Sequence, residues 1–417
     1  MKFRQFIFIV ILLVLGLTAY RFMQKKANPI TATQTGWWQI QSIDTMKYSR
    51  DMAQVGLEDP KFDTTIDQQL KAIAMTGANY VAVGTPYDEK FIPMLTRWVT
   101  IARKYNLHVW FRGNFAGWEG WFDMPKISRE QHLAMLTEFL ARHGDLFENG
   151  DLFTPCPECE NGGPGDPRQT GDIEGYRLFL TTEYRMSEDS FKQMGKDIKI
   201  YDSMNYDVAS QVMDPRTTQA LGGVVTIDHY VASPDQLVHD VRAIADASGG
   251  RVFLGEIGAP IPDINGDMSD AQQAEWLRSA LSKLSSMPQV IGINYWVNVG
   301  GSTAIWDDQV NPKPAVLAIT TFFSPEIITG SVKDQYNNLI ANAKVRTMEK
   351  AVYTDTSGNF SIPALPTDTL LYISADKYVD KSIKIYDNTK NMDIVIERPT
   401  QSSVQSFLDY LRGLLSR

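Results

Sequence analysis

This chain of 417 residues has two cysteines, five histidines and no excess of positive charge. Each of these shortages excludes a class of protein. Two cysteines are too few for a small scaffold held together by disulfides. The five histidines show no spacing typical of metal ligands, so we expect no metal site. The net charge of −9 would repel nucleic acid, and no basic stripe in the sequence would offset it. We therefore expect no metal, no cofactor and no nucleic-acid partner.

A long membrane-spanning run is also lacking, although the N-terminus is apolar. Phe6–Ala19 is almost unbroken, but it is shorter than the roughly 20 residues of a full span, and Arg21 follows at once. We predict that residues 1–26 form an uncleaved membrane anchor, with a cleaved signal peptide as the alternative. Residues 27–35 would be a polar tether. Either outcome places the protein outside the cytoplasm, anchored to the membrane or secreted.

Short apolar runs alternate with helical patterns between residues 36 and 324. Helix starts are marked by Ser128 with Gln131, by Ser233-Pro234 and by Ser269. The strand candidates are Trp38–Ile43, Asn79–Gly84, His108–Phe111, Asp151–Pro157, Ile198–Met204, Val224–Ile227, Val252–Gly255 and Val290–Trp296. The pattern predicts an α/β fold, one (β/α)₈ TIM barrel. A doubly wound open sheet is the rival, but no glycine-rich phosphate loop follows the first strand.

The pattern changes after residue 324. From 327 to 397 strands alternate with turns and no helical period is present, which predicts a small all-β sandwich. This segment resembles the carboxypeptidase regulatory-like domain in Gly330-Ser331-Val332, Asp334, Ala343-Lys344-Val345, Thr354-Asp355, Gly358-Asn359-Phe360-Ser361-Ile362 and Leu365. The resemblance implies a non-catalytic accessory module. Apolar residues at helical spacing predict an amphipathic helix over 398–417.

Two glutamates stand out at strand ends. Glu158 follows the fourth predicted strand in Pro-Cys-Pro-Glu-Cys-Glu, and Glu256 follows the seventh in Leu-Gly-Glu-Ile-Gly. Because strand ends of a barrel converge on one pocket, we expect the two carboxylates to face each other. Such a pair is what hydrolysis of a glycosidic bond requires. Glu160 is a competitor for Glu158, since a continued strand would place both on the same side.

The predicted barrel resembles clan A glycoside hydrolases over roughly residues 36–323. Those enzymes carry an acid/base glutamate at the end of strand four and a nucleophile glutamate at the end of strand seven. The resemblance implies a retaining glycoside hydrolase of an extracytoplasmic poly- or oligosaccharide, with Glu158 as acid/base and Glu256 as nucleophile. The chain departs from the pattern at Pro157, where these enzymes usually have asparagine.

That departure keeps two other functions open. One is a catalytically inactive barrel that binds a glycan or scaffolds a surface assembly. The other is a barrel hydrolase that uses its carboxylates on a non-sugar substrate, for which we would expect a metal cluster. Fold alone does not decide among them.

Other strand ends supply candidates for substrate binding. Arg112 ends the third strand, where a charge-assisted hydrogen bond would keep Glu256 ionised. Trp296 ends the eighth strand, and the resemblance implies that it is a sugar platform. The full set of substrate-binding candidates is Arg112, Asn114, Glu160, His229, Tyr230 and Trp296, with Asp44, Trp118 and Trp121 as further residues that line the cleft.

The two cysteines, Cys156 and Cys159, lie on either side of Glu158. A thioredoxin-like dithiol would open a helix after the first strand of its fold, whereas this pair lies among prolines in the middle of the chain. A zinc site would need two further ligands, and none stands out. We interpret the pair as a local disulfide, which export would permit, or as two free thiols.

Overall fold

The computed structural model describes residues 36–115, 118–386 and 391–399, with the backbone alone for 118–120. The described residues divide into two compact units, 36–326 with 363–367, and 327–362 with those from 368 onward. Predictions for 1–26, 27–35 and nearly all of 398–417 fall outside the described residues. No helix in the described part of the chain is long and apolar enough to cross a membrane.

Nine strands form the sheet of the first unit. They are β1 Ile40–Asp44, β2 Tyr80–Val83, β3 His108–Phe111, β4 Leu152–Phe153, β5 Lys199–Ile200, β6 Ser203–Asn205, β7 Val224–Asp228, β8 Arg251–Ile257 and β9 Val290–Tyr295. Neighbouring strands are parallel and follow the order β5-β4-β3-β2-β1-β9-β8-β7-β6. β5 and β6 occupy one strand position of the barrel, where β5 pairs with β4 and β6 pairs with β7. The curled sheet is therefore a (β/α)₈ barrel, as the sequence predicts.

Helices alternate with these strands. They are α1 Met46–Ser49, α2 Ala53–Glu58, α3 Phe62–Met75, α4 Ile92–Lys104, α5 Arg129–His143, α6 Pro167–Thr170, α7 Ile173–Gln193, α8 Tyr206–Val212, α9 Pro215–Ala220, α10 Pro234–Ser248, α11 Pro262–Asn265, α12 Asp270–Ser285 and α13 Pro314–Phe323. The starts predicted at Ser128, Ser233 and Ser269 are confirmed, because each serine accepts a hydrogen bond from the backbone of the first turn.

Two strand predictions have the wrong length. The predicted strand Asp151–Pro157 ends at Phe153, and prolines at 155 and 157 have no N–H to extend the ladder. Glu158 consequently lies on a loop rather than on a strand. The predicted strand Ile198–Met204 is interrupted at residues 201 and 202, which divides it into β5 and β6.

Side chains fill the interior of the barrel below the strand ends. Trp110 and Phe253 lie at its centre with ring centroids 4.7 Å apart. The full interior cluster is Ile40, Ala82, Trp110, Leu152, Val224, Phe253 and Ile291. A larger apolar core lies between the sheet and the surrounding helices. Because the interior is packed, a site can form at an end of the barrel and not through its middle.

The secondary-structure elements described for the second unit are all strands. They are β10 Glu326–Asp334, β11 Lys344–Arg346, β12 Ala351–Tyr353, β13 Asn359–Ala364, β14 Leu370–Ser374, β15 Lys381–Lys384 and β16 Asn391–Ile396. They form two sheets, β13-β10-β16 and β12-β11-β14-β15. This confirms the small all-β class, whereas the likeness to a carboxypeptidase regulatory-like domain stays a prediction. The sequence did not reveal β12 and β15, which are edge strands without a fully buried side chain and with weak apolar alternation.

Candidate active site

Glu256 lies within β8 and points into the C-terminal mouth of the barrel. Pairing with β7 joins Ile227 to Leu254 and then Asp228 to Glu256, so Gly255 is an extra residue, a β-bulge. A Cβ at Gly255 would lie 2.3 Å from Oδ1 of Asp228. Glycine is therefore required at 255, because it lets the Asp228 carboxyl and the strand carrying Glu256 approach each other.

Arg112 is the central cation of the site. It follows β3, is 2% exposed, and lies over the Trp110 ring at 4.6 Å. Its Nη1 donates to Glu256 Oε1 at 2.7 Å and to Asp44 Oδ2 at 2.7 Å. Its Nη2 donates to Asp228 Oδ2 at 3.0 Å. Burial opposes the charge, but the surrounding carboxylates raise the pKa of Arg112 well above its usual value, so it stays cationic.

Tyr230 completes the contacts of Glu256. Its hydroxyl donates to Glu256 Oε2 at 2.7 Å, so both carboxylate oxygens accept a hydrogen bond. Burial, together with the negative charge of Glu256, raises the pKa of Tyr230 well above its ordinary value. The phenol therefore remains protonated and stays a donor. Two donors, one of them charged, therefore bind the two oxygens of Glu256.

Glu158 faces Glu256 across the mouth. One carboxylate oxygen from each of Glu158, Glu256 and Asp228 lies within 4.8 Å of the other two. The Glu158 carboxyl is 7% exposed, and no described residue donates a hydrogen bond to it. Burial first, and then the negative charges of Glu256 and Asp228, raise the pKa of Glu158 well above its ordinary value. This carboxyl therefore keeps its proton under conditions in which an exposed glutamate would lose it.

Glu160 is bound by residues of other elements. Its Oε1 accepts from the backbone N of Asn205 at 2.7 Å and from Nδ2 of Asn205 at 3.1 Å. Its Oε2 accepts from the Tyr176 hydroxyl at 3.1 Å. The strand does not continue past Phe153, so the alternation that would have placed Glu158 and Glu160 together does not apply. A substrate-binding role for Glu160 stays a prediction.

The other candidates lie around the rim. Trp296 is half-buried and contacts the Tyr230 ring edge-on, with centroids 5.9 Å apart. Nε2 of His229 lies within hydrogen-bond distance of Asp240 Oδ2, at 2.9 Å. The His229 ring stacks on the Tyr206 ring with centroids 4.2 Å apart. Burial lowers the pKa of His229, although Asp240 opposes the shift.

Three further cleft candidates have different surroundings. Asn114 is 7% exposed, and its Oδ1 accepts from the next backbone N–H. Trp121 lies under the Arg50 guanidinium at 5.1 Å. The side chain of Trp118 is outside the described part of the chain. The substrate-binding assignments at all of these positions stay predictions.

Sequence reasoning missed Asp228. It is 2% exposed, ends β7, and is hydrogen-bonded to Arg112. The available signal was the same one that pointed to Glu256, a carboxylate at the end of an apolar strand. Asp44, named only as lining the cleft, is fully buried and also bonded to Arg112. The two aspartates hold the guanidinium from the sides that Glu256 leaves open.

The three carboxylates of Glu158, Asp228 and Glu256 are close enough to share a cation. The donor set fits one poorly, because Arg112 already supplies a positive charge to two of them. Tyr230 also occupies the second oxygen of Glu256. The arrangement instead suits a pair of carboxyls in different protonation states, one paired with a cation and one buried with its proton.

Known proteins resemble this chain in fold and not in sequence. No protein-family model and no curated protein matches it. The structure of GH5_18 from Streptomyces cattleya in complex with GlcNAc superposes with a TM-score of 0.53 at 15% identity, covering 71% of this chain and 84% of that one. A variant GH5_18 from the same organism, in complex with Manb1-4GlcNAc, gives 0.53 at 14% identity over the same shares. At this identity the likeness establishes the (β/α)₈ barrel and nothing finer.

Proposed function

We propose that this protein is a retaining glycoside hydrolase, in which Glu256 is the nucleophile and Glu158 is the acid/base. The observation that carries the proposal is the opposed state of two adjacent carboxyls. Glu256 accepts from Arg112 and Tyr230, each at 2.7 Å, whereas Glu158 is buried without a donor among the described residues. Glycoside hydrolysis requires this combination of one ionised and one protonated carboxyl.

The spacing of the pair supports retention of configuration. Oxygens of Glu158 and Glu256 lie within 4.8 Å of each other. Retaining enzymes have carboxyls about 5–5.5 Å apart, whereas inverting enzymes need about 6.5–9.5 Å to admit a water between them. At the spacing in this barrel, Glu256 can reach the anomeric carbon directly.

The reaction then has two steps. In the first, Glu256 attacks the anomeric carbon, the bond to the leaving oxygen breaks, and Glu158 gives that oxygen its proton. In the second, ionised Glu158 takes a proton from a water, which attacks the anomeric carbon and releases Glu256. When Glu256 loses its charge to the sugar, Glu158 also loses a negative neighbour, so its proton leaves more readily.

The substrate is a poly- or oligosaccharide in this proposal. Trp296 and Tyr230 meet edge-on at the rim, where an aromatic face can contact the apolar face of a sugar. The structurally similar GH5_18 proteins hold GlcNAc and Manb1-4GlcNAc, so β-mannosides and β-N-acetylglucosaminides are the first substrates to examine. The Asn205 side-chain amide donates to Glu160, so it does not take the place of the asparagine that is missing at position 157.

We also propose that the enzyme works outside the cytoplasm, attached through its N-terminal segment or secreted. Two features support this location. The sequence begins with an apolar run, Phe6–Ala19, after a basic start. The structure also pairs Cys156 with Cys159 in a disulfide, a bond that persists mainly in oxidising compartments.

A screen of 4-nitrophenyl glycosides and polysaccharides tests the proposal. Purified protein should release nitrophenol from at least one glycoside, and ¹H NMR should show the first product with the anomeric configuration of the substrate. Glu256→Gln should be inactive on the same substrate, while Glu275→Gln, an exposed helix residue, should match wild type. Binding of a glycan without any turnover would favour the inactive barrel, and product of opposite configuration would exclude the retaining mechanism.

A further inference from the structure

We infer that the Cys156–Cys159 disulfide is a positioning device for Glu158, which holds the proton-donating carboxyl against Glu256. This inference rests on the proposed function. The S–S bond is needed for proton delivery to the leaving group and not for the stability of the barrel as a whole.

The disulfide encloses the residue that it would position. Cys156 and Cys159 are bonded with Cα atoms 5.1 Å apart, so Pro157 and Glu158 form the only residues inside the ring. Glu158 has φ 43° and ψ 51°, in the left-handed region that non-glycine residues seldom occupy. Such a conformation persists only where the surroundings impose it. The covalent ring contains Glu158 itself, so it restricts the backbone of this residue directly.

Hydrogen bonds hold the backbone of this loop and the Glu160 side chain, but none reaches the Glu158 carboxyl from the described residues. β4 ends at Phe153, five positions before Glu158. The backbone N of Glu158 donates to the Ser203 carbonyl at 2.9 Å, and its carbonyl accepts from Asn161 at 2.8 Å. Its carboxyl accepts no hydrogen bond from any described residue, in contrast to that of Glu256. The position of this carboxyl therefore depends on the backbone of the loop.

The surroundings leave no room for the ring to open in place. Both cysteines are 1% exposed and belong to the core between the sheet and the helices. A Cβ at Gly163 would lie 2.8 Å from Sγ and 2.6 Å from the carbonyl oxygen of Cys159. Two thiol sulfurs cannot approach as closely as two bonded ones, so reduction must move the sulfur atoms, and with them the side chains or the backbone on either side of Glu158. A misplacement of about 1 Å can cost roughly 10²-fold in rate.

The first test compares leaving groups. In the variant Cys156→Ala/Cys159→Ala, kcat/KM for an alkyl or unsubstituted phenyl glycoside should fall about 10–100-fold. For the 2,4-dinitrophenyl glycoside of the same sugar, kcat/KM should stay within about twofold, because that leaving group needs no proton. Equal losses on both substrates, or no loss on either, would overturn the inference. A general weakening of the fold lowers both values together, since both reactions need Glu256.

Reduction of the wild-type protein is the second test. A dithiol such as dithiothreitol breaks the S–S bond, leaves two thiols on the protein and becomes a cyclic disulfide, and a mass increase of two hydrogen atoms identifies the product. Because the chain has only two cysteines, no other bond can respond. Reduced wild type should show the same dependence on the leaving group as the double variant, and the double variant should ignore the dithiol. A reduced wild type with unchanged kinetics would contradict the inference.

Titration of Glu158 separates this inference from the proposed function. With ¹³C-labelled glutamate, NMR should show that reduction lowers the pKa of Glu158, because the carboxyl moves away from Glu256 and toward water. An unchanged pKa would overturn the positioning role. If the wild type hydrolyses no glycoside, the proposed function fails, and this titration still decides whether the disulfide sets the environment of Glu158.

Discussion

The two glutamates of the site are held in opposite ways. Glu256 lies within β8, a strand paired on both sides, and its carboxylate accepts from Arg112 and Tyr230. Glu158 lies on a loop, within the ring closed by the Cys156–Cys159 disulfide, and its carboxyl has no donor among the described residues. One is fixed by the sheet and by charge, and the other by its own backbone.

The difference shows how one mouth of a barrel can give two neighbouring carboxyls different surroundings. A cation and a phenol each donate a hydrogen bond to Glu256. Burial and the charge of Glu256 favour the neutral form of Glu158 and raise its pKa. Each state therefore depends on the other, so a change at either residue should alter its neighbour.

Removal of the Glu256 carboxylate should have the largest effect on the rate. We expect Glu256→Ala to lower kcat by about 10⁶-fold, the order seen when an enzyme loses its nucleophile. Azide should partly restore cleavage, because a small anion fits the space on the face opposite the leaving group. NMR of the product should then show a glycosyl azide with inverted anomeric configuration. Recovery of a product with retained configuration would mean that Glu256 is not the attacking group.

Loss of Arg112 should destabilise the folded protein, because Arg112 holds Glu256 and its neighbouring carboxylates. Arg112→Met leaves the buried carboxylates of Asp44, Asp228 and Glu256 without their cation, so the free energy of unfolding should fall by about 3–5 kcal/mol. Urea denaturation followed by circular dichroism measures it. Arg251→Met, at an exposed position of β8, should change it by less than about 0.5 kcal/mol. Equal stability of the two variants would show that Arg112 does not hold these groups.

Glu158→Ala should slow the reaction because it removes the group that delivers a proton to the leaving oxygen. We expect kcat/KM to fall by about 10²–10⁴-fold for glycosides with poor leaving groups and far less for activated aryl glycosides. Glu160→Ala is the matched variant, since Glu160 is buried nearby but bonded to Asn205 and Tyr176. If Glu160→Ala shows the dependence on the leaving group and Glu158→Ala does not, the assignment is reversed. If both match wild type, neither glutamate delivers the proton.

Tyr230→Phe should weaken the hold on Glu256 by one hydrogen bond. A bond from a hydroxyl to a charged group contributes about 1.5–3 kcal/mol, which corresponds to about a 10–100-fold loss in kcat/KM. Tyr184→Phe, at the opposite end of the barrel, is the control. Full activity of Tyr230→Phe would show that Arg112 alone suffices to orient the carboxylate.

The smallest change concerns charge alone. In Glu256→Gln the pKa of Glu158 should fall, because a negative neighbour has become neutral, but burial should keep it above the ordinary value of glutamate. In wild type, the same raised pKa means that kcat/KM should decline only as pH rises through it and Glu158 loses its proton. ¹³C NMR of labelled glutamate measures the pKa in both proteins. A pKa that rises in the variant would contradict the proposed coupling.

Much of this architecture was accessible from local patterns. The eight strand positions, the helix starts at Ser128, Ser233 and Ser269, and the all-β C-terminal unit follow from apolar periodicity and capping residues, which depend on near neighbours. The proximity of Glu158 and Glu256 followed from the rule that barrel strand ends converge. The end of β4 was placed too late because the apolar run continues while its prolines already exclude strand pairing.

The sequence by itself determined which elements form and which residues end the strands. Only the tertiary structure decided which of those residues meet. Arg112 bonds to Glu256 across 144 positions and to Asp44 across 68, and Asp228 joins them only because the barrel closes. The different surroundings of Glu158 and Glu160 likewise depend on Asn205 and Tyr176, which other elements supply to Glu160. Periodicity reports a residue's own element, whereas its charge state depends on the neighbours that folding brings to it.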